Sequence, residues 1–192
     1  MIRNLGLPGA AALLALGLTL SALLPACNSP QYATTYTYLP TPTPLCTTPS
    51  QLGYSAAGAV TALASGTLLA NPVAVASGPV TALDFQVYTG DRGRYKAALY
   101  TDNAGAPATL VAQTDVMDSA GPGWIRIPIR PTALAAGNYW LALVQDQGDD
   151  LIRDDSSAVP LFSSPVTSWT LPANPVGTLA SGSLSVYAET CP

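Results

Sequence analysis

Five aspartates crowd into ten residues, DQGDDLIRDD at 146–155, around the single cation Arg153. Hard carboxylate oxygens at close spacing suit calcium, which makes Asp146, Asp149, Asp150, Asp154 and Asp155 the candidate ligands. The spacing departs from that of an EF-hand loop and lacks its closing Glu. The competing reading is a solvated acidic loop paired locally with Arg153. Glycoside hydrolysis would instead need two of these carboxyls to flank a cleft. Other chemistry is sparse. The chain contains no histidine, which removes His-based triads and the usual imidazole ligands of zinc or copper. Its one lysine, Lys96, alternates within a strand-like run and reads as a surface residue. No glycine-rich phosphate loop precedes a helix. These residues point away from an enzyme and to no cofactor other than calcium at the acidic segment.

Aromatic side chains are the second source of a site, because sugar rings stack on exposed Trp or Tyr faces while Asp and Asn meet their hydroxyls. Trp169 lies between prolines in SSPVTSWTLP (163–172) and is the first candidate for a ligand face, followed by Tyr88, Tyr100 and Tyr187. For each of them the competing role is packing, since strand aromatics belong to the core by default.

The amino-terminal segment determines where these residues would act. Arg3 precedes an apolar run from Leu5 to Leu24 broken only by Ser and Thr, the form of a secretory leader. About 20 apolar residues would also cross a bilayer, but Gly6, Pro8, Gly9 and Gly17 interrupt the run and no basic cluster follows it. The run closes on Leu24-Pro25-Ala26-Cys27, which resembles the lipobox of bacterial lipoproteins: a large apolar residue, a small one before the cysteine, then the cysteine itself. Pro25 departs from the small residue usual at its position. The resemblance implies that residues 1–26 are removed and that Cys27 carries a diacylglycerol and an amide-linked acyl chain such as palmitate. Two or three chains hold a protein firmly on a membrane, at about 0.8 kcal/mol per buried methylene. Asn28 stands where a sorting Asp would sit in some bacteria, so the implied address is the cell envelope, at the outer membrane or cell surface. The alternative is ordinary secretion with cleavage near Ala26.

With Cys27 assigned to the lipid, Cys46 and Cys191 are the remaining thiols; in an oxidising compartment they form a disulfide joining the two ends of the domain, or else stay free. Seven Lys and Arg stand against eleven Asp and Glu, and loss of Arg3 with the leader takes the formal net charge from −4 to −5. Such a surface lacks the clustered cations that nucleic acid requires.

The elements that must position these residues are strands. Residues 27–50 form a tether in which Pro40, Pro42 and Pro44 alternate with Thr and favour extended polyproline geometry. From 51 to 192 the chain is long enough for one domain. Leu83, Phe85 and Val87 alternate with Asp84 and Gln86, and similar patterns mark 94–100, 109–116, 124–129, 138–144 and 183–188. Weaker candidates are 66–76, 159–163 and 166–171. Turn clusters at 89–93, 102–107, 119–123 and 146–150 separate them. Eight or nine short strands at this spacing predict an all-β protein, an antiparallel β-sandwich of jelly-roll type.

The run GPVTALDFQVY (78–88), YKAALYTDNAGAP (95–107), LVAQT (110–114), Gly123-Trp124 and LAAGNYWLAL (134–143) resembles a bacterial extracellular β-sandwich module similar in fold to carbohydrate-binding modules. The resemblance implies that Gly137 and Asn138 turn the chain into a strand, and that Trp124 with Tyr139 or Trp140 fills the space between the sheets. The expected function is therefore a non-enzymatic envelope lipoprotein that binds glycan or another surface polymer. The alternative is a structural accessory subunit docked to an envelope protein complex, in a surface layer or outer membrane, with no small ligand.

Overall fold

The computed structural model describes residues 48–56, 58–62, 64–89, 93–118, 121–147, 150–152 and 159–191. In chain order the strands are β1 (Ser50–Tyr54), β2 (Val60–Ala62), β3 (Thr67–Val75), β4 (Gly78–Thr89), β5 (Arg94–Asn103), β6 (Ala106–Gln113), β7 (Met117–Asp118), β8 (Gly123–Leu134), β9 (Gly137–Gln145), β10 (Asp150–Ile152), β11 (Pro160–Pro165), β12 (Thr178–Ser181) and β13 (Val186–Thr190). The described residues contain no helix.

Alternation of apolar and polar residues puts every second side chain of a strand on one face, and two sheets bury those faces against each other. One has six strands in the order β1-β13-β4-β10-β2, with β8 also on β4. Val87 of β4 pairs with both Leu151 and Gly123, so β10 and β8 occupy opposite edges of β4. The other sheet has seven strands, β12-β11-β3-β9-β5-β6, with β7 on β5. All pairings are antiparallel.

Eight of these strands form the frame. Sheet neighbours run β1-β13-β4-β8 in one layer and β3-β9-β5-β6 in the other. Counted as first to eighth along the chain, they give the spatial orders 1-8-3-6 and 2-7-4-5, the interleaving of a jelly roll. The additional strands β2, β7, β10, β11 and β12 are short, six residues or fewer, and flank this frame, which explains the excess over the eight or nine expected. Segments 50–54, 60–62, 150–152 and 178–181 carry little apolar alternation, and their extended form comes from the neighbour they pair with. The expected strand at 166–171 is absent; there the chain becomes irregular after Pro165.

The core between the sheets is built from Val80, Leu83, Phe85 and Val87 of β4, Ile125, Ile127 and Ile129 of β8, and Leu141 and Leu143 of β9, among others. A second apolar cluster lies on the opposite face of the seven-stranded sheet. Leu68 and Ala70, Ala98 and Tyr100, Trp140 and Ala142 pack there with Phe162 and Leu171. The chain from Val166 to Val176 lies across them as a strap. It is tied down by hydrogen bonds from Lys96 Nζ to the Trp169 carbonyl (2.9 Å), from the Tyr100 hydroxyl to the Pro172 carbonyl (3.2 Å) and from the Leu110 N–H to the Ala173 carbonyl (2.9 Å). The strap explains why β9 reads as the unbroken apolar run YWLALV: the strand is buried on both faces.

Asn71 joins the layers of this end of the fold. Fully buried in β3, it donates to the carbonyls of Pro160 and Gly182 (both 2.9 Å) and accepts from the Leu184 N–H (2.9 Å).

Candidate functional site

The outer face of the six-stranded sheet carries the polar half of β4. Asp84 and Gln86 point out between the inward Leu83, Phe85 and Val87. Antiparallel pairing places Asp84 opposite Arg126 of β8 on one edge and Tyr187 of β13 on the other, and sets Gln86 opposite Trp124. Two bridges then pass over β4. The rings of Trp124 and Tyr187 meet with centroids 4.8 Å apart at 49°. Arg126 donates through Nε and Nη2 to Glu189 Oε2 at 2.9 and 2.5 Å.

These bridges form a roof, and the strand below is its floor. Asp84 is only 3% exposed, and its Oδ2 and the Oε1 of Gln86 are buried with no hydrogen-bond partner. Burial, followed by the charge of Glu189, pushes the Asp84 carboxyl up to about 7, against the opposing pull of Arg126 and the Tyr187 hydroxyl. Burial, then the two carboxylates, raises the Tyr187 phenol as well. The bond to Glu189 raises Arg126 further. Trp124 is 40% exposed on top of the roof. Tyr88, two residues beyond Gln86 along β4, is 54% exposed.

This arrangement suits binding better than bond cleavage. Exposed aromatic carbon beside a guanidinium and carboxyls can stack on a ring and meet its polar substituents. Two carboxyls flanking a cleft are the minimum for glycoside hydrolysis. Here, however, Asp84 lies beneath the rings and Glu189 is held by Arg126, so the pair does not flank a cleft.

The other residues singled out in the sequence lie elsewhere. Tyr100 is 0% exposed, with its ring under the strap, so it presents no ligand face. Trp169 packs against the same cluster at the rim of a cleft of about 220 Å³, which Ser65, Val144, Asp146 and Thr167 also line. The Arg94 guanidinium sits 5.4 Å over its ring. Lys96, expected at the surface, is half-buried against the strap. Trp124 and Trp140 both differ from the expected role of filling the space between the sheets. Trp124 follows the outward parity of β8, one residue out of phase with Ile125, and Trp140 faces the strap, its Nε1 donating to Asp102 Oδ1 at 2.7 Å. Tyr139 does pack against the core between the sheets.

In the acidic segment, Asp146 is engaged by Arg94, through its backbone N–H to Oδ1 and Nε to Oδ2, both 2.8 Å. Burial raises its carboxyl, but these bonds and the guanidinium charge outweigh that and hold it below its usual value. Asp150 belongs to β10, while Asp149, Asp154, Asp155 and Arg153 lie outside the described residues. Among the described residues no three His, Cys, Asp or Glu side chains group as a metal site. Cys191, directly after β13, is disulfide-bonded, its N–H on the Pro79 carbonyl at 3.0 Å; Cys27 and Cys46 lie outside the described residues. Compared with known proteins, the chain matches no family model, no curated protein and no solved structure.

Proposed function

We propose that this protein is a non-enzymatic binding module whose six-stranded sheet takes up glycan, or a surface polymer of similar chemistry, across Trp124 and Tyr187. The observation that supports this most is the Trp124 ring, 40% exposed and backed by the buried Tyr187 ring at 4.8 Å, next to the Arg126–Glu189 pair on one sheet face. Exposed aromatic surface on a rigid strand offers stacking at little entropic cost, and the neighbouring charged groups supply hydrogen bonds that fix orientation. Tyr88 extends the exposed aromatic surface further along β4.

The leader-like run and the lipobox resemblance at Cys27 support a lipid anchor in the cell envelope for this module, with 27–50 as its tether and a Cys46–Cys191 bridge closing the domain. The disulfide-bonded state of Cys191 supports the bridge. Intact mass of the membrane-extracted protein tests the anchor: acyl chains on a chain beginning at Cys27 are expected, and a mature chain without lipid refutes it.

The binding reading is tested by affinity electrophoresis and fluorescence titration against a panel of soluble polysaccharides. Trp124→Ala should abolish retardation, whereas Trp169→Ala should leave it unchanged. Equal retardation of Trp124→Ala and the unaltered protein by every polysaccharide that binds would refute the assignment of this face.

A further inference from the structure

The glycan reading can be narrowed by the charge the face leaves uncompensated. Glu189 has its own counter-charge in Arg126, which gives it two contacts. Asp84 has none to itself. Its Oδ2 accepts no hydrogen bond although the side chain is almost wholly buried, and the neighbouring Gln86 Oε1 is in the same state. The groups around Asp84 on the flanking strands are Arg126 on β8 and Tyr187 and Glu189 on β13. Beyond β13, β1 contributes Gln51 opposite Glu189 and Gly53 opposite Tyr187, neither charged. Arg130 shares the outward face of β8 but stands four residues beyond Arg126, so the immediate surroundings of Asp84, once ionised, hold two carboxylates against one guanidinium, beside two aromatic rings.

We propose that this face prefers glycans bearing free ammonium groups, that is, de-N-acetylated amino-sugar chains, seated on the Trp124 ring beside the Asp84 carboxylate. The proposal rests on the glycan reading of the same face. A cation over a Trp face gains from the ring quadrupole, and a carboxylate beneath adds direct attraction. The formal net charge, −4 for the whole chain and −5 without the leader, steers cationic chains to the surface in the same direction. Because Asp84 titrates near neutrality, the bound ammonium favours its ionised form, and the displaced proton passes to solvent.

The test is calorimetric titration at about pH 6 with a glucosamine oligomer and its fully N-acetylated counterpart of equal length, in buffers of different ionisation enthalpy. The glucosamine oligomer should bind about tenfold more tightly, the worth of one added charge pair at a part-solvated site. Its binding should release a fraction of a proton, read from the buffer dependence of the heat. Asp84→Asn should erase both the preference and the proton release. Equal affinity for the two oligomers, or a preference that survives in Asp84→Asn, overturns the proposal and leaves aromatic stacking intact as long as Trp124→Ala still weakens both. If neither oligomer nor any other polysaccharide binds, the glycan reading fails with it.

Discussion

Replacing Asp84 by Asn removes a titrating group without changing its shape, and the roof above it sets the expected size of the effect. The Asp84 carboxyl stands at about 7 in the fold against 3.8 when solvated. The folded protein therefore holds a proton that the unfolded chain gives up. Between those two values the unfolded state binds fewer protons, so stability falls as pH rises. The contribution is fully present below about 4 and lost by the time pH has passed 7. Roughly three pH units at 1.36 kcal/mol each set a ceiling of about 4 kcal/mol. Arg126 is half-exposed and can readjust when Asp84 ionises, so we expect about 2 kcal/mol. Urea unfolding at half-unit intervals from pH 4 to 8.5 measures this as the difference between the Asn variant and the parent. The two should agree near pH 4, diverge between pH 4 and 7 and differ by about 2 kcal/mol in favour of the variant at pH 8. Adding Arg126→Gln to the parent should move the midpoint of divergence upward, because Arg126 is one of the groups holding the carboxyl down. A difference that stays flat across the whole range would refute the buried, proton-holding Asp84.

Three other predictions concern the frame. Asn71→Ala removes three hydrogen bonds from a buried site and leaves their partners unmet, so chemical denaturation should show a loss of about 3 kcal/mol. Leu171→Ala opens a cavity between the strap and the seven-stranded sheet and should cost about 2–3 kcal/mol; hydrogen exchange of the Leu110 amide, which bonds the Ala173 carbonyl, should quicken in this variant. Cys46→Ser should leave a free thiol at Cys191 by alkylation and mass measurement, with a stability loss of up to about 5 kcal/mol.

The polar face was half legible before folding. Alternation in ALDFQVY put Asp84 and Gln86 on one side and Leu83, Phe85 and Val87 on the other, since a strand has a two-residue period whatever its neighbours. The same rule, applied to WIRIPI, would have placed Trp124 outward with Arg126, opposite to Ile125 and Ile127. The two-residue period therefore outweighs the general tendency of large aromatics to fill sandwich cores. Tyr100 shows the reverse difficulty: its alternation shows which face of β5 it occupies but cannot tell that a distant strap covers that face.

All-β class, jelly-roll type and the main strands follow from the sequence alone, because periodicity and turn residues are local properties. So do the acidic balance and the lack of histidine, which narrow the chemistry before any fold is known. The joining of Arg126 to Glu189 and of Trp124 to Tyr187 belongs to tertiary structure, because their strands are far apart in the chain and meet only on either side of β4. The same holds for Asp84. Its ordinary solvated carboxyl becomes a proton-holding group only when two side chains from each flanking strand close over it and exclude the water that would stabilise its charge.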